Sequence, residues 1–217
     1  MPLAVKIKKH CVLQIGFLYM TIRQAGPKDS FFVSKLILEP MKPLALLITG
    51  SDDPEVARKL LEDLFCRPDT QYSYRNTLVC EAEGRVVGSV TAYDGGRLME
   101  LRRPVDEYLA ARKHPMIMSN ETEAGEFYID TISVDPLFRG KGIAGRLLDA
   151  VCSKAANEGH RRVGLIVAPD NAGAIALYRK TGFVQAGVRN FAGKTYLHMV
   201  RDTGASSLQA AALLATQ

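Results

Sequence analysis

Residues 126–160 read EFYIDTISVDPLFRGKGIAGRLLDAVCSKAANEGH. The opening EFYIDTISV mixes aromatic and β-branched residues in alternation and predicts a strand. Further on, Ile143, Leu147, Leu148, Val151 and Ala155 recur at helical spacing as one apolar stripe, so a helix follows the glycines and stops at Gly159. Between the two lies GKGIAG, Gly140 to Gly145. A glycine-rich turn that opens a helix points backbone N–H groups outward, where the helix dipole makes them an anion site. For a glycine loop in isolation the plainer reading is a tight turn that needs glycine only for its φ angles. The next segment, RVGLIVA, is a second strand. Strand, loop, helix and strand together predict two parallel neighbours joined by the helix.

The loop fits G-x-G-x-x-G, yet its context excludes a dinucleotide fingerprint. Five residues, DPLFR, separate Val134 from Gly140, and RVGLIVA ends in Ala168 where an acidic residue is required. A nucleotide-binding protein of Rossmann type is therefore a distant alternative. A phosphate loop of the Walker type is excluded because Gly142 occupies the place of its Ser or Thr.

Composition sets the outer bounds. The 217 residues, 47% of them hydrophobic, suffice for one sizeable core. A net charge of +5 and a pI near 9.0 suit a polyanionic cofactor, but no basic helix or interleaved aromatics argue for nucleic acid. Cys11, Cys66, Cys80 and Cys152 are widely spaced and suggest neither a metal site nor disulfides, which fits reduced thiols and a cytoplasmic location. The segment KIKKHCVLQIGFLYM superficially resembles a signal peptide, but its apolar run falls short of the ~20 residues that span a bilayer and no cleavage site follows. Residues 1–19 are read as a loosely packed or disordered extension, or as the product of a start assigned upstream of Met20. No membrane partner is expected.

The remaining elements follow from local chemistry. TIRQA opens as a strand. Lys28 to Leu47 is helical, with Pro40 and Pro43 expected to break it. SDDPEVARKLLEDLF is a helix capped by Ser or Asp, with Pro54 in its first turn and Val56, Leu60, Leu61 and Leu64 apolar. RNTLVCEAEGRVVGSVTAY predicts a hairpin about Glu83-Gly84, and RLMELRRPVDEYLAARKH a helix interrupted at Pro104. NAGAIALYRKTGF is a helix ended by Gly182, and FVQAGV and KTYLHMV are closing strands. Three regions result: the extension 1–19, a domain over 20–201 with a helical insertion at about 95–125, and a tail over 202–217.

Two motifs in this order resemble the GNAT superfamily of N-acetyltransferases. RGKGIA supplies Arg139, Gly142 and Ala144 of the family's acetyl-CoA loop, after a strand ending in ISVDP. NAGAIALYRKTGF supplies Asn171, Ala174, Leu177, Tyr178, Gly182 and Phe183. The likeness is strongest from Glu126 to Phe183, while Gly95 to Gly125 departs from a minimal member. It implies an α/β (α+β) fold, a mixed and mostly antiparallel sheet of about seven strands with flanking helices, whose parallel central strands splay at the cofactor. It also implies an acetyl-CoA-dependent N-acetyltransferase with no metal, acting by direct attack in a ternary complex. A non-catalytic acyl-CoA-binding or sensing module on the same fold is the alternative. Under this resemblance a bulge at Ile132, Ser133 and Val134 turns backbone N–H groups toward the thioester and pantetheine arm. Arg139, Gly140, Lys141, Gly142, Ile143 and Ala144 hold the pyrophosphate, Asn171 and Ala174 serve the pantetheine side, and Tyr178 is the general acid at sulfur.

The base is left open. Alternation sets Tyr128, Asp130, Ile132 and Val134 on one strand face, which makes Asp130 a candidate acting through water. Glu126 is the reserve, and deprotonation by solvent is a third option. Glu121, Glu123, Glu126 and Asp130 suit an acidic mouth for a cationic amine, although a solvated turn is the preferred reading, and His198 is read as structural. The acceptor is a small-molecule or peptide amine; a homodimer is left open.

Overall fold

The computed structural model describes residues 20–111 and 119–204. The expected extension over 1–19, most of the tail and residues 112–118 of the insertion lie outside the described residues.

Seven strands, β1 (Met20–Gln24), β2 (Thr77–Ala82), β3 (Arg85–Asp94), β4 (Phe127–Val134), β5 (Arg162–Val167), β6 (Val184–Phe191) and β7 (Lys194–Asp202), form one sheet. Its order is β1-β2-β3-β4-β5-β7-β6, with β4 and β5 parallel and every other neighbouring pair antiparallel. The β2–β3 hairpin turns on Glu83 and Gly84 at φ 53 and 73, the left-handed pair that a two-residue turn requires.

Both faces of the sheet are covered. Helix α4 (Ile143–Asn157) joins β4 to β5 and buries its whole expected stripe against Val87, Val90, Ile129, Val163 and Leu165. Each such Leu or Ile contributes about 1.5–3 kcal/mol by leaving water. On the other face, α1 (Ser30–Thr49) and α2 (Pro54–Cys66) pack Val33, Ile37, Leu61 and Phe65 on Val79, whose neighbour Cys80 points into the α4 core. Asp53 caps α2 through the Glu55 N–H at 2.9 Å, but Val56, placed among its apolar positions, is exposed.

The prolines do not interrupt their helices. Pro40 and Pro43 lie on the exposed side of α1, and water can replace the N–H partner that the carbonyl of exposed Glu39 loses to Pro43. Helix α3 (Leu98–Ala111) forms where the insertion was expected and likewise runs through Pro104. One turn earlier, the Leu101 carbonyl accepts the Gln71 N–H at 3.1 Å and ties the loop after α2 to this helix.

The sheet opens where β4 parts from β5. Parallel pairing covers Phe127↔Val163, Tyr128↔Gly164 and Ile129↔Leu165 only, although β4 continues to Val134 and β5 to Val167. On the opposite edge of β4, Thr91 pairs with Thr131 and the next β3 residue, Ala92, pairs with Ile129. Asp130 is thus the extra residue of a β-bulge. The bulge lies at Asp130 and not at Ile132 to Val134, which pair in register with Val90, Ser89 and Gly88. It also breaks the alternation: Ile132 and Val134 join the α4 core, whereas Asp130 stays on the Tyr128 face.

Candidate active site

The glycine loop opens α4 at the splayed end of β4. Gly140 and Gly142 both have φ 77, and an added Cβ at either would meet nothing within 4 Å, so glycine is required there for conformation and leaves open space. Gly142 is the helix cap and supplies no side chain, which leaves the first N–H groups of α4, from Ile143 and Ala144 onward, without a capping partner. This meets the needs of a pyrophosphate. The basic side chains beside it are engaged elsewhere. Arg139 donates to the Val134 carbonyl at 3.1 Å and to Glu39 of α1 at 3.0 Å, and Lys141 lies 4.6 Å over the Phe138 ring.

Across the gap stands α5 (Ala172–Lys180). Asn171 caps it by accepting the Ala174 N–H at 3.1 Å, an exposed position that leaves the side-chain amide N–H groups free for a ligand. Tyr178 is 8% exposed, with its ring 5.8 Å from that of Phe183. Its hydroxyl has no partner among the described residues, and burial pushes its pKa up to about 12. At neutral pH it is a proton-bearing donor awaiting an acceptor.

Asp130 sits at the point of divergence, half-buried. Its Oδ2 accepts Gln71 Nε2 at 3.0 Å and the Tyr93 hydroxyl at 2.9 Å. Burial and the charge of Glu121 push its carboxyl up to about 7, against the pull of Tyr93, Arg102 and Gln71. Such a carboxylate is poised to exchange a proton near neutrality. Glu121 itself is buried in an ion pair with Arg102. The preferred reading of this acidic stretch as a solvated turn is therefore wrong for Glu121 and Glu126, whose charges go inside because each meets a buried partner.

Glu126 forms a second buried pair. Its Oε2 lies 2.9 Å from His198 Nε2 and its Oε1 accepts the Thr122 hydroxyl at 3.0 Å. Burial raises this carboxyl, but His198, Thr122 and the more distant Arg189 outweigh it and hold it below the ordinary range. A Cβ on Gly164 would fall on the same carboxylate, so glycine is needed in β5 for Glu126 to lie there. Glu126 thus braces the strand junction together with His198.

The fold brings Asp130, the unpaired edge of β4, the glycine loop, Asn171 and Tyr178 to the two strands that splay apart. Sequence reading missed Gln71, Tyr93 and Arg102, which reach Asp130 or its partners from distant segments. Arg102 carries the one usable signal: a guanidinium inside the buried stripe of Leu98, Leu101, Val105 and Leu109 implies an interior carboxylate.

The acetyltransferase (GNAT) family model matches residues 48–183. N-alpha-acetyltransferase RimI of Mycobacterium tuberculosis (strain ATCC 25618 / H37Rv) is 34% identical over 119 residues, 48% of this chain and 72% of that one. A crystal structure described as that of an acetyltransferase aligns over 84% of this chain and 99% of its own, with 32% identity and a TM-score of 0.72. An N-acetyltransferase from Staphylococcus aureus Mu50 aligns over 83% and 99%, with 26% identity and a TM-score of 0.73. With the motif match, the splayed strands and these relatives in agreement, the chain belongs to the acetyltransferase (GNAT) family and is an acyl-CoA-dependent N-acetyltransferase.

Proposed function

We propose that the protein transfers an acetyl group from acetyl-CoA to a primary amine of a small molecule or peptide, by direct attack in a ternary complex. The observation that carries this reading is the break in β4–β5 pairing after Ile129↔Leu165, flanked by an uncapped helix start and an unpartnered tyrosine hydroxyl. The N–H groups from Gly140 to Ala144 receive the pyrophosphate. The free edge of β4 from Ile132 to Val134 supplies backbone partners for the pantetheine arm, with Asn171 and Ala174 facing it from α5.

Asp130 takes a proton from the ammonium of the acceptor, directly or through a water. The nitrogen lone pair then attacks the thioester carbon, the C–N bond forms and the C–S bond breaks. The nitrogen sheds its second proton to water. Tyr178 meets the departing thiolate with its O–H, and a proton from solvent completes the thiol. A phenol near 12 does not pass its proton downhill to a thiol of pKa about 8.5. The role of Tyr178 is therefore stabilisation of the leaving thiolate by a charge-assisted hydrogen bond. A protein that only bound acyl-CoA would need neither this hydroxyl nor a carboxylate poised near neutrality.

The relative named an N-alpha-acetyltransferase supports a peptide α-amino group as acceptor. The deciding experiment measures CoA thiol release from acetyl-CoA with amines, amino acids and peptides bearing free N-termini. Amine-dependent release with a matching gain of one acetyl group in the mass of the acceptor is the expected result. Tight CoA binding without turnover on any amine would reduce the protein to a binder.

A further inference from the structure

The insertion before β4 sends a guanidinium inward. Arg102 of α3 is buried, and so are two side chains it meets, Gln71 from the loop after α2 and Glu121 from the segment that leads into β4. Its Nε donates to Gln71 Oε1 at 3.4 Å, its Nη1 to the Ser119 carbonyl at 3.3 Å and to Asn120 Oδ1 at 3.4 Å, and its Nη2 to Glu121 Oε2. Gln71 has little freedom left. Its backbone N–H donates to the Leu101 carbonyl at 3.1 Å, its carbonyl accepts Asn76 Nδ2 at 3.4 Å, and its Nε2 donates to Asp130 Oδ2 at 3.0 Å. What remains is which end of the amide faces which partner. A guanidinium only donates, so Arg102 takes the oxygen and turns the N–H groups to Asp130.

The orientation of that amide bears on a proton. An amide N–H beside a carboxylate favours the ionised form, whereas an amide oxygen in its place favours the protonated one. A buried guanidinium without a counterion of its own would also draw on the charge of Asp130 and weaken it as a base. Glu121 answers that charge. At Asp130 the two act in opposite senses, Glu121 raising the carboxyl and Arg102 lowering it. What they do not cancel is the orientation of Gln71. The other groups that face Asp130 are Tyr93 of β3, which donates to the same Oδ2 at 2.9 Å, Tyr72 beside Gln71, and Tyr128 of β4 itself. Burial pushes all three phenols well above their ordinary value, so they stay uncharged over the working range.

We propose that Arg102 and Glu121 are positioning residues for acetyl transfer: the inserted helix locks the Gln71 amide with its N–H groups on Asp130 and so holds the carboxylate ready to take a proton. The inference rests on the reading of Asp130 as proton acceptor and gives the insertion a part in it. Arg102 stands two hydrogen bonds away from the carboxylate and acts through Gln71.

The test is a double-mutant cycle read on the acid limb of kcat/KM for a peptide with a free N-terminal alanine, or for the fastest amine of the panel. Gln71→Leu removes a donor to the ionised carboxylate, so the limb should move to higher pH by about half a unit or more, with KM for acetyl-CoA changed by less than about twofold. Arg102→Met/Glu121→Leu removes the pair together, which leaves neither charge buried without its partner. In that background the amide is free to turn, and Gln71→Leu should shift the limb by less than about half as much. Tyr93→Phe, whose hydroxyl the pair does not hold, should shift it equally in both backgrounds. A Gln71→Leu shift of equal size with and without the pair, or no such shift while Tyr93→Phe still moves the limb, overturns the positioning role and leaves Asp130 as proton acceptor. A limb that neither Gln71→Leu nor Tyr93→Phe moves overturns both. Should the pair variant fail to fold, nuclear magnetic resonance of wild type decides: the side-chain N–H signals of Gln71 should titrate with the midpoint of the acid limb, and signals that pH leaves unmoved overturn the assigned orientation.

Discussion

Replacing Tyr178 by Phe isolates one hydroxyl. The ring of Tyr178 lies in the main core and packs on Phe183 at 5.8 Å, and Phe preserves both contacts. The hydroxyl makes no hydrogen bond to a described residue, so its removal leaves no protein group unsatisfied. Thermal stability and CoA affinity should consequently change little, within about 0.5 kcal/mol. The catalytic cost differs, because the thiolate that develops as the C–S bond breaks loses its donor. A hydrogen bond to a charged group contributes about 1.5–3 kcal/mol, which at 1.36 kcal/mol per decade lowers kcat by roughly 10- to 150-fold. Because burial keeps the phenol protonated up to about pH 12, wild type should show no alkaline limb from this group in the working range. Thermal melts, calorimetry with CoA and steady-state kinetics on the best amine of the panel make the measurement. A variant within about threefold of wild type, with chemistry shown to be rate-limiting, would refute the assignment and leave the hydroxyl a bystander.

Three further outcomes follow from the same geometry. Gly142→Val forces a β-branched residue to φ 77 and puts bulk over the helix start, so CoA affinity should fall about tenfold or more by calorimetry, whereas Arg139→Ala, whose donors already serve Val134 and Glu39, should cost less than about fivefold. Gly164→Ala drives a methyl onto the Glu126 carboxylate and should lower the melting temperature by an amount equivalent to about 1–3 kcal/mol. Asp130→Asn reports on the proton at the bulge: with the carboxyl raised from 3.8 to about 7 in the folded chain, the unfolded chain ionises first, so wild-type stability declines from about pH 4 to pH 7 and then levels. The variant should therefore gain melting temperature relative to wild type at pH 8 compared with pH 4, and a constant difference would mean that Asp130 is not raised.

The half of the site proposed to bind the cofactor is legible in the sequence because it is local. A strand, two left-handed glycines and a helical stripe lie within 35 consecutive residues, and each signal constrains φ, periodicity or capping without help from the rest of the chain. The bulge could not be read in the same way. It is a property of pairing, created when Thr91 and Ala92 of β3 skip Asp130, and no residue of EFYIDTISV announces that its partner will skip one. The prolines misled for a related reason, since whether a lost N–H bond breaks a helix depends on whether water reaches the freed carbonyl. The half around Asp130 is assembled from four stretches, with Gln71 59 residues and Tyr93 37 residues away along the chain. Burial of Arg102 and Glu121 makes an unpaired charge there costly, which is why each lies against the other and why the pair could be found only once α3 and the segment before β4 had come together.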